Sequence, residues 1–204
     1  MLTLRNITKS FGEKHVLTDV SLTIGDGVTA ALSGVSGCGK TTLLRIAAGL
    51  EAPDAGEVQA SGKIAVCFAE PRLFPSVRVL ENITAVMRGE KKAVSARAGE
   101  LLAVLGLADA ADLYPASLSS GMAARVSLAR ALAYEADIYL LDEPFRALDA
   151  ETRARVMAYL RTFFSEKTVL LISHNPEEAA AMATRFYHLA DGKLTEMTEQ
   201  GNIC

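Results

Sequence analysis

The sequence lacks most of what would mark a secreted, membrane-spanning or nucleic-acid-binding chain. Among 204 residues there are three cysteines, Cys38, Cys67 and Cys204, at unrelated spacings. That pattern excludes a disulfide framework and a cysteine zinc site, and it fits a reduced compartment. No apolar run reaches the roughly eighteen residues that a bilayer span needs, so work at a membrane would require a partner. The start, Leu2 to Thr8, alternates like a strand, and no signal peptide is expected there. Basic charge is not in excess: 21 Lys and Arg stand against 24 Asp and Glu, a formal net charge of −3. The largest basic clusters, Lys91-Lys92 and Arg153 with Arg155, read as solvated faces, so no nucleic-acid partner is expected. Internal repeats and low-complexity linkers are missing as well. The length suits a single domain over residues 1–204, with room for an inserted subdomain.

What is present is a rhythm of strands and helices. Residues 2–8 and 17–24 alternate with period two, as half-buried antiparallel strands do. A short apolar strand over 28–33 runs into a glycine-rich loop, and a helix is expected over 40–50 with Gly49 as its stop. Further strands are expected at 63–69, 137–142 and 168–173, and helices at 120–134, 150–165 and 176–184. The strands 185–190 and 194–198 would pair across Asp191-Gly192, a hairpin signal. Strands that alternate with helices predict an α/β fold with a mainly parallel, covered sheet. The first strands and the closing hairpin read as antiparallel. The mostly helical stretch of about 71–130 interrupts the rhythm and reads as an inserted helical subdomain. The sequence stops at Cys204, soon after the hairpin, and no regulatory domain is expected after it.

Gly34-Val-Ser-Gly-Cys-Gly-Lys-Thr41 matches the phosphate-loop pattern without a gap. Its glycines let backbone N–H groups close around phosphate oxygens, Lys40 supplies a point charge to the β- and γ-phosphates, and Thr41 offers a hydroxyl to Mg²⁺. The context agrees, with a strand before and a helix after. Cys38 is a small filler in that loop on one reading; on the other, its place beside Lys40 and a helix start makes it reactive.

A second feature is the apolar run 138–141, which ends in Asp142 and Glu143. Burial of such a strand carries its carboxyl end to the ligand edge of an open α/β sheet. Asp142 is expected to hold Mg²⁺ through its water shell, and Glu143 to polarise an attacking water. A simple helix cap before Pro144 is the alternative.

Third, Leu118-Ser-Ser-Gly-Met122 stands directly before an apolar, helix-spaced run. Serines and a glycine at a helix start make a second anion site, or else an ordinary serine cap. The order of these motifs, with Ala147-Leu148-Asp149 and a lone His174 after the acidic strand, resembles the ATP-binding subunits of ABC transporters. The likeness covers essentially the whole chain and implies a P-loop NTPase core with an N-terminal antiparallel β-subdomain. In that family two subunits pack head to tail, so that the signature of one faces the phosphate loop of the other. The resemblance thus implies a homodimer or a paired homologous subunit, and answers why one small protein would carry two anion sites.

By position, the resemblance assigns ATP contacts to Gly34, Ser36, Gly37, Cys38, Gly39, Lys40, Thr41 and Thr42, with Mg²⁺ on Thr41 and Asp142. It makes Glu143 the general base and His174 the switch that contacts the γ-phosphate. Ser119, Ser120 and Gly121 would touch the neighbour's ATP, Asp149 would connect the subunits, and Phe11 would stack on adenine unless it is core. It also implies transmembrane permease subunits and a place on the cytoplasmic face of a membrane. Three positions depart from the family pattern: Ala69 stands where a Gln is usual, Ser120 replaces a Gly, and Met122 replaces a Gln. Ala69 offers no oxygen, so water would complete the metal shell there, or Glu70 would move one register. Met122 and the phrase 73–82 resemble the nitrate, sulfonate and taurine importer branch. An ATPase subunit of an importer is therefore expected. A non-catalytic ATP sensor, motivated by Ala69 and the altered signature, and a soluble ABC-type ATPase remain as alternatives.

Overall fold

In the computed structural model, residues 1–146 and 148–197 are described. Ala147, Cys204 and residue 198, expected as the end of the closing strand, lie outside the described residues. The chain divides into two compact units: Met1–Ile64, Asp137–Asp142 and the stretch from Phe163 form one, Ala65–Ala136 and Glu143–Thr162 the other.

The first unit opens with β1 (Leu2–Phe11) and β2 (Lys14–Ile24), which pair antiparallel. The expected unbroken alternation does not hold. Leu2 and Leu4 face inward, then Ile7 and Lys9; on β2, Leu17 faces inward, then Val20, Leu22 and Ile24. Each strand therefore changes phase once, at Asn6 (φ 51°) and Asp19 (φ 54°). These are bulges that face each other, tied by Asn6 Nδ2 donating to Asp19 Oδ1 at 2.7 Å. A third strand, β4 (Ala55–Ala60), pairs antiparallel with the other edge of β1.

The same unit holds β3 (Thr29–Ser33), β6 (Ile138–Asp142), β7 (Thr168–Ile172), β8 (Arg185–Ala190) and β9 (Lys193–Met197) in the order β6-β7-β3-β8-β9. The first four run parallel, and β9 returns antiparallel across Asp191 (φ 49°) and Gly192 (φ 73°), both left-handed as this tight hairpin turn requires. Every residue of β6 and β7 is buried, the mark of a parallel sheet covered on both faces. Tyr139 packs on Phe163 and Phe164, with ring centroids 5.6 and 5.0 Å apart. Two helices belong here, α1 (Lys40–Ala47) and α6 (Pro176–Met182). Helix α1 stops three residues short of the expected end.

The second unit contains α2 (Val79–Thr84), α3 (Lys91–Val104), α4 (Ser120–Ala133) and α5 (Ala150–Phe163), the last ending at the unit boundary. Strand β5 (Ile64–Cys67) leads into it. Fully buried Asn82 organises the entry to α2. Its Nδ2 donates to the carbonyls of Phe74, Val77 and Arg78 at 3.1–3.2 Å, while its Oδ1 accepts from Phe74 N–H at 2.8 Å. Among the described residues no helix is long and apolar enough to cross a membrane.

Candidate functional site

Sheet register explains how Asp142 comes to the phosphate loop. Leu32 of β3 pairs with Ile172 of β7, and Ile172 pairs with Asp142 of β6. Asp142 therefore stands level with Leu32, one residue before β3 ends at Ser33 and the loop begins. Buried, it accepts a hydrogen bond from Thr41 Oγ1 to its Oδ2 at 2.8 Å. Two hard oxygen donors this close suit Mg²⁺, which keeps waters and substrate phosphates as its remaining ligands. Among the described residues no cluster of three or more His, Cys, Asp and Glu offers an all-protein cage.

Within the loop, Lys40 is buried and its Nζ donates to the carbonyls of Gly34 and Val35 at 2.7 and 2.8 Å, 3.9 Å from Cys38 Sγ. The ammonium is thus tied to the loop's own backbone. Gly34 must be glycine: its φ is 145°, and a Cβ there would lie 2.4 Å from the carbonyl oxygen of Leu189. Ser36 and Gly37 are exposed, Cys38 and Thr42 half-buried, and Gly39 leads directly into Lys40 at the start of α1.

Phe11 is not core. Its ring is 50% exposed at the end of β1. One cation lies over it, the Lys9 ammonium, 5.1 Å from the ring centroid. The hydrogen bond to Glu51 holds that ammonium above its ordinary range. His174 is exposed in the turn between β7 and α6. That turn is fixed by buried Ser173, whose Oγ donates to Glu178 Oε2 at 2.7 Å and accepts from Asn175 N–H at 3.1 Å.

In the second unit, Glu143 adopts φ 49° and opens a turn, its carbonyl accepting from Arg146 N–H at 3.1 Å. It does not cap a helix at Pro144; Asp149 caps α5 instead, accepting from Thr152 N–H at 2.9 Å. That hydrogen bond holds the Asp149 carboxyl below the usual carboxylate range. Ser119 and Ser120 are exposed at the start of α4. The helix start is not wholly free, because Ser119 Oγ accepts from Met122 N–H at 3.2 Å. The serine cap foreseen as the alternative therefore forms, and it leaves the side chains of Ser119 and Ser120 on the surface.

Sequence reasoning missed two groups of supporting residues. Lys9 gave a signal, a charge on an inward strand position beside Ile7. Arg125, four residues after Gly121, gave less: its Nε donates to Gly121 O at 3.3 Å and its Nη1 to Leu105 O at 3.1 Å, while Arg155 Nε donates to Val104 O at 3.1 Å. Two guanidiniums thus meet the carboxyl end of α3, the end that favours cations.

Residues 17–146 match a family model described as ABC transporter. The chain is 41% identical over 203 residues to the aliphatic sulfonates import ATP-binding protein SsuB of Rhodopseudomonas palustris (strain BisA53), covering 95% of this chain and 72% of that one. To the protein of the same name from Delftia acidovorans it is 44% identical over 197 residues, covering 95% and 81%. Among solved structures, it resembles the dimeric structure of MJ0796, a bacterial ABC transporter cassette, with a TM-score of 0.91 and 31% identity over 99% of this chain and all of that one. A dimeric post-hydrolysis state of the same cassette, bound to ADP and Pi, gives a TM-score of 0.90, again at 31% identity and with the same coverage of both chains.

Proposed function

This chain belongs to the ABC transporter family, and on that premise we propose how its residues carry out the work of an ATP-binding, ATP-hydrolysing importer subunit. The observation that carries the reading is the 2.8 Å hydrogen bond between Thr41 and Asp142. It joins two motifs 101 residues apart into one group of phosphate-side oxygens.

Lys40 and the backbone N–H groups of the loop from Gly34 to Thr42, with Ser36, Gly37, Cys38 and Gly39, bind the triphosphate. Thr41 and Asp142 would hold Mg²⁺, which would neutralise phosphate charge. Glu143 accepts the proton of the attacking water, and His174 contacts the γ-phosphate. Phe11 stacks on the adenine; the half-exposed ring supports this, and base stacking of this kind is worth about 1–3 kcal/mol. The dimeric state of the solved relatives supports a head-to-tail pair. In it, Ser119, Ser120 and Gly121 of one subunit would meet the phosphate held by the other, with Asp149 at the join. The pair would bind permease subunits on the cytoplasmic face of a membrane. The proposed cargo class is an aliphatic sulfonate, as in the names of the relatives, and Met122 with the phrase 73–82 agrees with that branch.

Glu143→Gln tests the roles. The variant should bind ATP with unchanged affinity, lose turnover by at least about 100-fold, and accumulate as an ATP-bound dimer in size-exclusion chromatography. Hydrolysis at the wild-type rate would remove Glu143 as the base. An ATP-loaded variant that stays monomeric would remove the head-to-tail arrangement.

A further inference from the structure

The Phe11 ring has a fixed support on one side, a nearly buried ammonium held by two partly exposed carboxylates. The Lys9 side chain is only 11% exposed. Its Nζ donates to Ala52 O at 2.8 Å and pairs with Glu51 Oε1 at 2.8 Å and Asp54 Oδ1 at 3.4 Å. Asp54 in turn accepts from Ser10 N–H through Oδ2 at 2.7 Å, and its own N–H donates to Thr8 O at 2.8 Å. The segment 51–54 therefore grips the end of β1 on both sides of Lys9, and three oxygens set where the ammonium lies. From there it lies over the Phe11 ring, 5.1 Å from its centroid.

We propose that Lys9 is a positioning residue for the nucleotide base: held by Glu51, Ala52 and Asp54, it fixes the Phe11 ring so that the ring's open face receives a purine. The physical logic has two parts. A ring free to rotate about its side-chain torsions loses that freedom when a base stacks on it; a ring already held against a cation has less to lose. The cation also draws on the ring's electron-rich face, and a ring so polarised stacks better on an electron-rich purine. Lys9 touches no part of the nucleotide in this account and acts only through Phe11. The inference rests on the reading of Phe11 as the adenine platform.

Titration calorimetry of the purified protein with ATP and with inorganic tripolyphosphate, both with Mg²⁺, separates the possibilities. Tripolyphosphate has the phosphates and no base. Lys9→Met should weaken ATP about fivefold and leave tripolyphosphate unchanged, while Lys9→Arg, which keeps the cation, should restore most of the ATP affinity. Equal losses for both ligands in Lys9→Met would make Lys9 a general anchor of the strand end and overturn the proposal. So would an unchanged ATP affinity in Lys9→Met while Phe11→Ala loses it. If Phe11→Ala itself binds ATP normally, the platform reading fails, and this inference fails with it.

Discussion

Adding one methyl group to the phosphate loop should do very different things at two neighbouring glycines. At Gly34 a Cβ would stand 2.4 Å from Leu189 O and 2.9 Å from Cys38 Sγ, with φ at 145°. Real Cβ atoms essentially never come within 3.0 Å of a neighbour, so chain must move by at least about 0.6 Å. The sulfur can rotate away; the oxygen is backbone in β8 and cannot. Moving it disturbs the parallel β3–β8 pairing, where Ser33 is matched with His188. Strain of the backbone angle and overpacking together predict a loss of about 3–4 kcal/mol for Gly34→Ala. Gly37 has φ 77° and nothing within 4 Å of a Cβ. There only the left-handed strain applies, and Gly37→Ala should cost about 1 kcal/mol. Urea unfolding followed by circular dichroism reads both. Calorimetry with ATP should show Gly34→Ala losing binding even at low urea, because the loop carbonyls that hold Lys40 shift with it. A Gly34→Ala protein as stable as Gly37→Ala, binding ATP like wild type, would refute this account of the loop's packing.

Asn82→Ala should destabilise the second unit by about 3 kcal/mol, since its buried side chain shares its two N–H donors among the Phe74, Val77 and Arg78 carbonyls and accepts from Phe74 N–H; the urea midpoint reports it, and an unchanged midpoint counts against the role given to Asn82. Alkylating Cys38 with N-ethylmaleimide, in a protein carrying Cys67→Ala and Cys204→Ser, should block ATP binding, and prior ATP should protect the thiol; a modified protein with intact affinity would place the loop's ligand elsewhere. Asp149 has a folded-state pKa below its ordinary value of 3.8, so its contribution to stability is present above about pH 4 and is lost as pH falls through the lower folded value. Replacing it in Asp149→Asn should flatten the acid limb of the stability profile, and an acid limb identical to wild type contradicts the cap.

How much of the fold was legible depends on what holds each element. Strands β6 and β7 are apolar except for Asp142 at the end of one and Thr168 at the start of the other, and those short apolar runs announce them. Strand β4 gave no such sign. Ala-Gly-Glu-Val-Gln-Ala carries one half-buried residue, Val58, and five exposed ones, so no hydrophobic pattern exists to be read. It is a strand because β1 offers it a free edge, a relation between segments some fifty residues apart. The bulges at Asn6 and Asp19 lie between these cases. The phase change from Leu4 to Ile7, and from Leu17 to Val20, is written in the apolar positions, but an averaged period of two conceals it.

The candidate site divides along the same line. A phosphate loop is contiguous because backbone N–H groups of one turn must converge on one anion, so its residues stand together in the sequence and announce the chemistry. The groups that hold the loop and its neighbours in place need no contiguity. Thr41 reaches Asp142 only because β7 lies between β3 and β6 in register; Lys9 reaches Glu51 and Asp54 only because β4 follows them back along β1. Such contacts depend on strand order, which no local pattern encodes. The departures at Ala69, Ser120 and Met122 belong to the legible class, since each changes a group expected to touch nucleotide, metal or water. On the proposed reading, an oxygen missing at Ala69 would cost a transition-state contact, about 1.4 kcal/mol for a tenfold change in rate. Ala69→Gln should raise the maximal ATPase rate about tenfold, with the Michaelis constant little changed, because the added amide would act on the reacting water and not on ground-state binding. An unchanged rate would mean that water already fills that position as well as an amide does.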